Sequence, residues 1–77
     1  MVELLTYIAK NLVDNPDEVN VTEVQREDGE FVYELRVAPS DMGKVIGKNG
    51  RIAKEIRAIM KSAAIRKDIK VSVDIID

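Results

Sequence analysis

The start of the chain carries apolar residues at the three- and four-residue spacing of a helix, with mostly polar residues between them. This spacing places the apolar side chains on one helix face, which would pack against a core. Those residues are Leu4, Leu5, Ile8, Ala9, Leu12 and Val13. Asn15-Pro16 follows the last of them, so we predict that the first helix stops near that pair.

Two extended segments follow, separated by Asp28-Gly29. In the first, Val19 and Val21 share one face and Val24 lies on the other, a loose alternation that a bulge would explain. Asp-Gly between extended segments predicts a tight hairpin turn in which both central residues have φ > 0. The second segment alternates regularly, which predicts a half-buried strand. Its core-facing residues are Phe31, Tyr33, Leu35 and Val37.

The second half of the chain begins with a short helix through Met42, Lys44 and Val45, which Ser40 or Asp41 is placed to cap. A longer helix starts after Gly50, because apolar residues recur there with a helical period. Its predicted core stripe is Ile52, Ile56, Ile59 and Ala63, with Met60 at the edge. A final strand is predicted where Val71, Val73 and Ile75 alternate with polar residues.

The element order is therefore α-β-β-α-α-β, which belongs to the α+β class. A hairpin pairs the first two strands antiparallel, and a helix pair between the second and third strands favours a parallel crossover. We expect a three-stranded mixed sheet covered on one face by three helices. With only 77 residues, the chain is expected to form a single domain spanning residues 1–77.

Composition removes several classes of function. The chain has no cysteine and no histidine, which excludes disulfides, thiol chemistry, the usual zinc sites and histidine acid-base catalysis. Acidic Glu3 stands where a signal peptide would carry cations, and no apolar run approaches the length of a membrane span. We therefore expect a cytoplasmic protein without a membrane span, and we expect neither cofactor nor metal.

The net charge of −2 is unevenly distributed. Residues 43–70 hold nine bases against two acids, whereas residues 1–42 hold ten acids against three bases. One part of the chain is thus suited to a polyanion that the other part repels.

The most informative segment is the loop Gly47-Lys48-Asn49-Gly50 between the two predicted helices. Two close glycines let the chain turn through φ > 0 and present bare backbone to a partner. The long helix begins directly afterwards, and unpaired N–H groups in a helix's first turn favour phosphate oxygens. With Lys48 in the loop, this arrangement predicts a clamp for a phosphodiester backbone. The plainer alternative is a helix-to-helix turn in which glycine is an ordinary C-cap.

Enzymatic alternatives fail on spacing. Only three residues separate Gly43 from Gly47, and Asn49 stands where a nucleotide-binding P-loop needs Ser or Thr. Acid pairs such as Asp14 with Asp17 lie at solvated positions, which do not favour acid-base catalysis. We predict a protein that is not an enzyme.

The run from Val45 to Ile52, Val-Ile-Gly-Lys-Asn-Gly-Arg-Ile, followed by Ile56 and a cationic helix face, resembles the signature of the KH domain. The element order is similar to that of the bacterial type II variant. In that family a Gly-x-x-Gly loop clamps about four single-stranded nucleotides. As a chain of one such unit, the sequence most resembles the small stand-alone bacterial RNA-binding proteins of the KhpA type. That resemblance implies an RNA chaperone or post-transcriptional regulator linked to cell shape, and a larger KH-containing partner of the KhpB type.

On this interpretation Lys48 and the N–H groups around Asn49, Gly50 and Arg51 hold phosphates, and an apolar floor supports the bases. The floor consists of Val45, Ile46 and Ile52. The complete expected set of RNA-binding residues is Lys44, Val45, Ile46, Gly47, Lys48, Asn49, Gly50, Arg51, Ile52 and Lys54.

Four alternatives stay open at this stage. Lys54, Arg57 and Lys61 fit a solvated helix face as well as direct ligands. Ala58 and Ile65 lie off the predicted core stripe, which fits an interaction patch, for example in a homodimer, or a partly buried helix end. A protein-assembly module with weak nucleic-acid contact is the rival function, and single-stranded DNA is an alternative ligand.

Overall fold

The computed structural model describes all residues from 1 to 77. Six main elements follow the predicted order: α1 (Val2–Lys10), β1 (Asn20–Gln25), β2 (Phe31–Arg36), α2 (Met42–Ile46), α3 (Arg51–Arg66) and β3 (Val71–Ile76). Single 3-10 turns at Pro16–Glu18, Pro39–Asp41 and Lys48–Gly50 connect some of them. None of the helices has the length and apolar character that a bilayer span requires.

The three strands form one mixed sheet with β2 in the centre. β1 pairs with β2 antiparallel and β3 pairs with β2 in parallel. One face of the sheet packs under the helices, as the sequence predicts, and the fold is α+β. The arrangement brings the short helix α2, the glycine loop and the start of α3 together on the helical side of the molecule.

Eight buried residues form the core, and every main element except β1 contributes to it. They are Leu5, Ala9, Tyr33, Leu35, Val45, Ile56, Met60 and Val73. The hydroxyl group of Tyr33 donates to Glu23 across the hairpin at 3.3 Å. Burial, and then the charge of Glu23, raises the pKa of Tyr33, because both disfavour the phenolate. The phenol therefore stays neutral against the hairpin.

Helix α1 is shorter than predicted and ends at Lys10. The amide group of Asn11 donates to the carbonyl oxygen of Tyr7 at 2.7 Å, while the N–H groups of Leu12 and Val13 both bond to Ala9. Leu12 and Val13 still pack against the core, which explains why their spacing resembles a helix. Because α1 ends early, the chain that follows it can run towards the start of α2.

The hairpin differs from the prediction in two details. The register between β1 and β2 is continuous from Asn20 to Gln25, so β1 contains no bulge. Val24 instead pairs with Val32, whose side chain points to the opposite face from Tyr33. At the turn only Gly29 has positive φ, at 90°. The N–H of Gly29 donates to Arg26 at 3.0 Å, and the N–H of Arg26 donates to Glu30 at 2.7 Å. These bonds give a three-residue loop instead of a two-residue turn.

The buried face of α3 is rotated from the predicted stripe. The buried residues are Ala53, Ile56, Met60 and Ala64, which recur with the helical period. Ile59 is 47% exposed, and Ala63 is only partly buried. The prediction gave isoleucine more weight than alanine, whereas the fold buries Ala53 and Ala64. Two isoleucines of α3, Ile59 and Ile65, therefore remain on the surface.

A Schellman motif ends α3. The N–H of Ile69 donates to Ala64 at 3.1 Å, and the N–H of Asp68 donates to Ile65 at 3.1 Å. Asp68 occupies the left-handed position with φ of 56°, which glycine usually fills. The motif turns the chain directly into β3.

Candidate nucleic-acid interface

The loop after α2 is built from unusual backbone angles. Gly47 ends α2 with φ of 75° and ψ of 175°, Asn49 has φ of 58°, and Gly50 has φ of 72°. Asparagine is one of the few residues with a side chain that accepts the left-handed region. This sequence of angles reverses the chain within four residues and starts α3 at Arg51.

Gly47 is required by contact as well as by angle. A Cβ atom there would collide with the side chain of Ile52 and lie 3.0 Å from its backbone nitrogen. A Cβ atom on Gly50 would meet nothing within 4 Å. The two glycines of the loop therefore serve different purposes, since Gly47 makes room for α3 and Gly50 only supplies a backbone angle.

Two N–H groups of the loop are used within its own turn. The N–H of Gly50 donates to Gly47 at 3.2 Å, and that of Arg51 donates to Lys48. The N–H groups of Lys48 and Asn49 bond to no side chain and to no residue outside the helices and strands. Of the amides expected to hold phosphates around Asn49, Gly50 and Arg51, those of Gly50 and Arg51 are therefore already engaged. Adjacent amides in a left-handed turn of this kind are suited to an anion.

Cations surround the glycine loop. Lys48, Arg51 and Lys54 are exposed, and none of them forms an ion pair. Lys48, Asn49, Arg51 and Ile52 line a shallow depression of about 420 Å³. The depression thus combines positive charge, free donors and one apolar side chain.

The expected apolar floor is only partly exposed. Val45 lies fully in the core, so its side chain supports the loop from below and presents no surface. Ile46 is 37% exposed, and Ile52 is half-buried beside Gly47. Phe31 and Tyr33 point inward as predicted, which leaves no aromatic side chain at the loop.

Two cations of the predicted surface are held by the protein. Lys44 contacts Asp14, with 3.4 Å between its Nζ and a carboxylate oxygen. The Nε of Arg57 donates to the carbonyl oxygen of Val73 at 3.1 Å, which ties α3 to β3. Lys44 and Arg57 are therefore less available than Lys48, Arg51 and Lys54.

The predicted cap at Asp41 is wrong, because its carboxylate does not bond to the N–H groups of α2. It accepts hydrogen bonds from the N–H of Asp14 at 3.2 Å and from the N–H and side-chain amide of Asn15, both at 3.0 Å. We call this cluster of Asp14, Asn15 and Asp41 the Asp41 clip. Ser40 makes no cap either.

The Asp41 clip keeps its carboxylate ionised. Burial alone would raise the pKa of Asp41, but the hydrogen bonds from Asn15 and Asp14 and the charge of Lys44 outweigh it, and the pKa lies below its ordinary value. The sequence pattern does not indicate this cluster, because Asn15 and Asp14 lie 26 and 27 residues before Asp41.

Comparison with known proteins agrees with this geometry. The family model described as KhpA/KhpB, KH domain, matches residues 2–75. RNA-binding protein KhpA of Clostridium acetobutylicum is 58% identical over 76 residues, covering 99% of this chain and 100% of the relative. The protein of the same name from Chlamydia trachomatis is 51% identical over 77 residues, covering 100% and 97%. The chain therefore belongs to the KhpA/KhpB family of KH domains.

Proposed function

We propose that the chain is a single-stranded RNA-binding protein that holds about four nucleotides at the loop between α2 and α3. The backbone amides of Lys48 and Asn49 and the Lys48 ammonium hold phosphates, and Arg51 and Lys54 add sequence-independent attraction. Ile46 and Ile52 offer apolar contact to the bases. The activity is binding without catalysis.

The observation that carries this proposal is the group of three exposed, unpaired cations, Lys48, Arg51 and Lys54, around the glycine loop. A simple helix-to-helix turn would not need them, since its glycine would act only as a C-cap. Membership of a family whose relatives are named RNA-binding proteins supports the same conclusion.

The proposed affinity is weak and sensitive to salt. Aromatic stacking is a major source of affinity for unpaired bases, and the loop has no aromatic side chain. Phosphate contacts then dominate, and their strength falls as salt rises.

The decisive experiment is the double variant Lys48→Asp with Asn49→Asp. Aspartate tolerates the left-handed angle of residue 49, and both side chains are exposed, so the fold should persist. Binding to a labelled single-stranded RNA should weaken by roughly tenfold or more, because an attractive site becomes repulsive. Circular dichroism and Tm should stay nearly unchanged.

A matched control separates the loop from overall charge. Lys10→Asp with Asn20→Asp makes the same change in charge at two exposed residues outside the loop. RNA affinity should then change much less. An equal loss in both double variants, or unaltered binding in the loop variant, would contradict the proposed site. Parallel titrations with DNA of the same sequence test whether the site selects RNA.

We also propose that the chain acts as a pair, either with a second copy or with a larger KH-containing partner of the KhpB type. Ile59 and Ile65 on α3 are 47% and 71% exposed. Linking two weak sites raises the effective concentration of the second, which would compensate for weak single-site binding. A strictly monomeric protein in sedimentation at micromolar concentration would contradict the proposed homodimer.

The same exposed isoleucines favour the rival function, a protein-assembly module in which RNA contact is incidental. This rival would be favoured if RNA affinity were unchanged in the Lys48→Asp, Asn49→Asp variant but lost in Ile59→Lys. As a working unit we propose residues 1–77 as one domain, acting in the cytoplasm as an RNA chaperone or regulator with a role in cell shape. Crosslinking in cells followed by RNA sequencing tests that role.

A further inference from the structure

Lys44 is the one cation of the expected RNA-binding set that already has an acidic partner. Its Nζ lies 3.4 Å from Asp14, whereas Lys48, Arg51 and Lys54 form no ion pair. The Lys44 side chain is 43% exposed and that of Asp14 is 77% exposed, so a ligand can reach both. Lys44 stands three residues before Gly47, on the helix that leads into the loop.

The Asp41 clip fixes where Asp14 stands. Asp41 is 1% exposed and directly precedes α2, and its carboxylate accepts the N–H of Asp14 at 3.2 Å. Two further bonds from Asn15 complete the clip. The backbone of Asp14 is thereby attached to the start of the helix that carries Lys44, so the two charges are held on adjoining segments.

We propose that Asp14 lowers the affinity of the protein for RNA by competing with phosphate for the Lys44 ammonium. The inference rests on the proposed function, in which phosphates pass beside α2. A phosphate that binds the Lys44 ammonium must displace the carboxylate of Asp14 from it. Exposed ion pairs are weak, so the restraint is modest and adjustable.

The test is Asp14→Asn, with binding to a labelled, mixed-sequence single-stranded RNA followed by fluorescence anisotropy. Affinity at low salt should rise about two- to fivefold, in keeping with the strength of an exposed pair. The exposed side chain and the retained backbone N–H leave the Asp41 clip intact, and an unchanged Tm checks this. The matched control is Asp17→Asn, an equal change in charge at an exposed residue without an ion pair.

A double-mutant cycle identifies the mechanism. In a Lys44→Gln background, Asp14→Asn should gain nothing, because the competed cation is absent. A gain that persists in that background, a gain that Asp17→Asn reproduces, or no gain at all would each overturn the role of Asp14. These results leave wild-type binding intact, so they are distinct from failure of the proposed function. If the wild-type protein binds no RNA, the proposed function fails and this inference fails with it.

Discussion

Replacing Gly47 with alanine should destabilise the whole domain. With φ of 75° and ψ of 175°, Gly47 lies in a region that is essentially restricted to glycine, where alanine costs about 1–3 kcal/mol. Its Cβ would also collide with Ile52, and overpacking of this kind costs about 1–3 kcal/mol. The total of roughly 2–6 kcal/mol is comparable to the few kcal/mol that hold such a small domain together.

Gly50→Ala is the natural comparison. Gly50 has φ of 72° and ψ of 15°, which is the left-handed region, and a Cβ there meets no atom within 4 Å. Only the conformational cost of about 1–2 kcal/mol should apply. The difference between the two variants therefore combines the contact with Ile52 and the more restrictive backbone angles of Gly47.

Urea denaturation followed by far-ultraviolet circular dichroism measures both variants against wild type. We expect Gly50→Ala to unfold cooperatively at somewhat lower urea, and Gly47→Ala to be largely unfolded or to have a much lower midpoint. Equal destabilisation by the two substitutions would refute the argument that Gly47 makes room for α3.

Two further predictions concern aspartates. Asp68→Gly should raise the free energy of unfolding by about 1 kcal/mol, because glycine fits the left-handed position that ends α3; lower stability in urea denaturation than wild type would contradict this. Because the pKa of Asp41 is lowered in the folded state, the ionised carboxylate should stabilise the fold at pH values above its ordinary pKa of 3.8. This stabilisation should disappear as the pH falls through the pKa of Asp41 in the folded state. The stability gap between wild type and Asp41→Asn should therefore narrow on acidification below pH 3.8, and an unchanged gap in urea denaturation from pH 6 to pH 3 would exclude a linked carboxylate.

The parts of the fold that sequence predicts well are those set by local pattern. Alternation in β2 and the paired glycines of the loop depend on neighbouring residues, and both appear in the structure. The buried face of α3 depends on which helix surface meets β3 and α1. Pattern alone could not reveal that Ala53 and Ala64 would be buried while Ile59 stayed exposed.

The candidate site divides in the same way. Gly47, Lys48 and Gly50 could be singled out because their spacing has a chemical meaning by itself. The burial of Val45 and the engagement of Lys44 by Asp14 arise from contacts between distant segments. An acid 30 positions earlier in the chain gives no sign of its partner until the fold brings them together.

The Asp41 clip also joins the two ends of a long segment of the chain. Residues 14 and 15 are joined to residue 41, and the whole β1–β2 hairpin lies between them. The exposed hairpin tip at Asp28 and Gly29 can thus be lengthened while both ends of this segment stay anchored. A fluorescent reporter domain could be inserted at the tip, which would leave both termini of the protein unmodified.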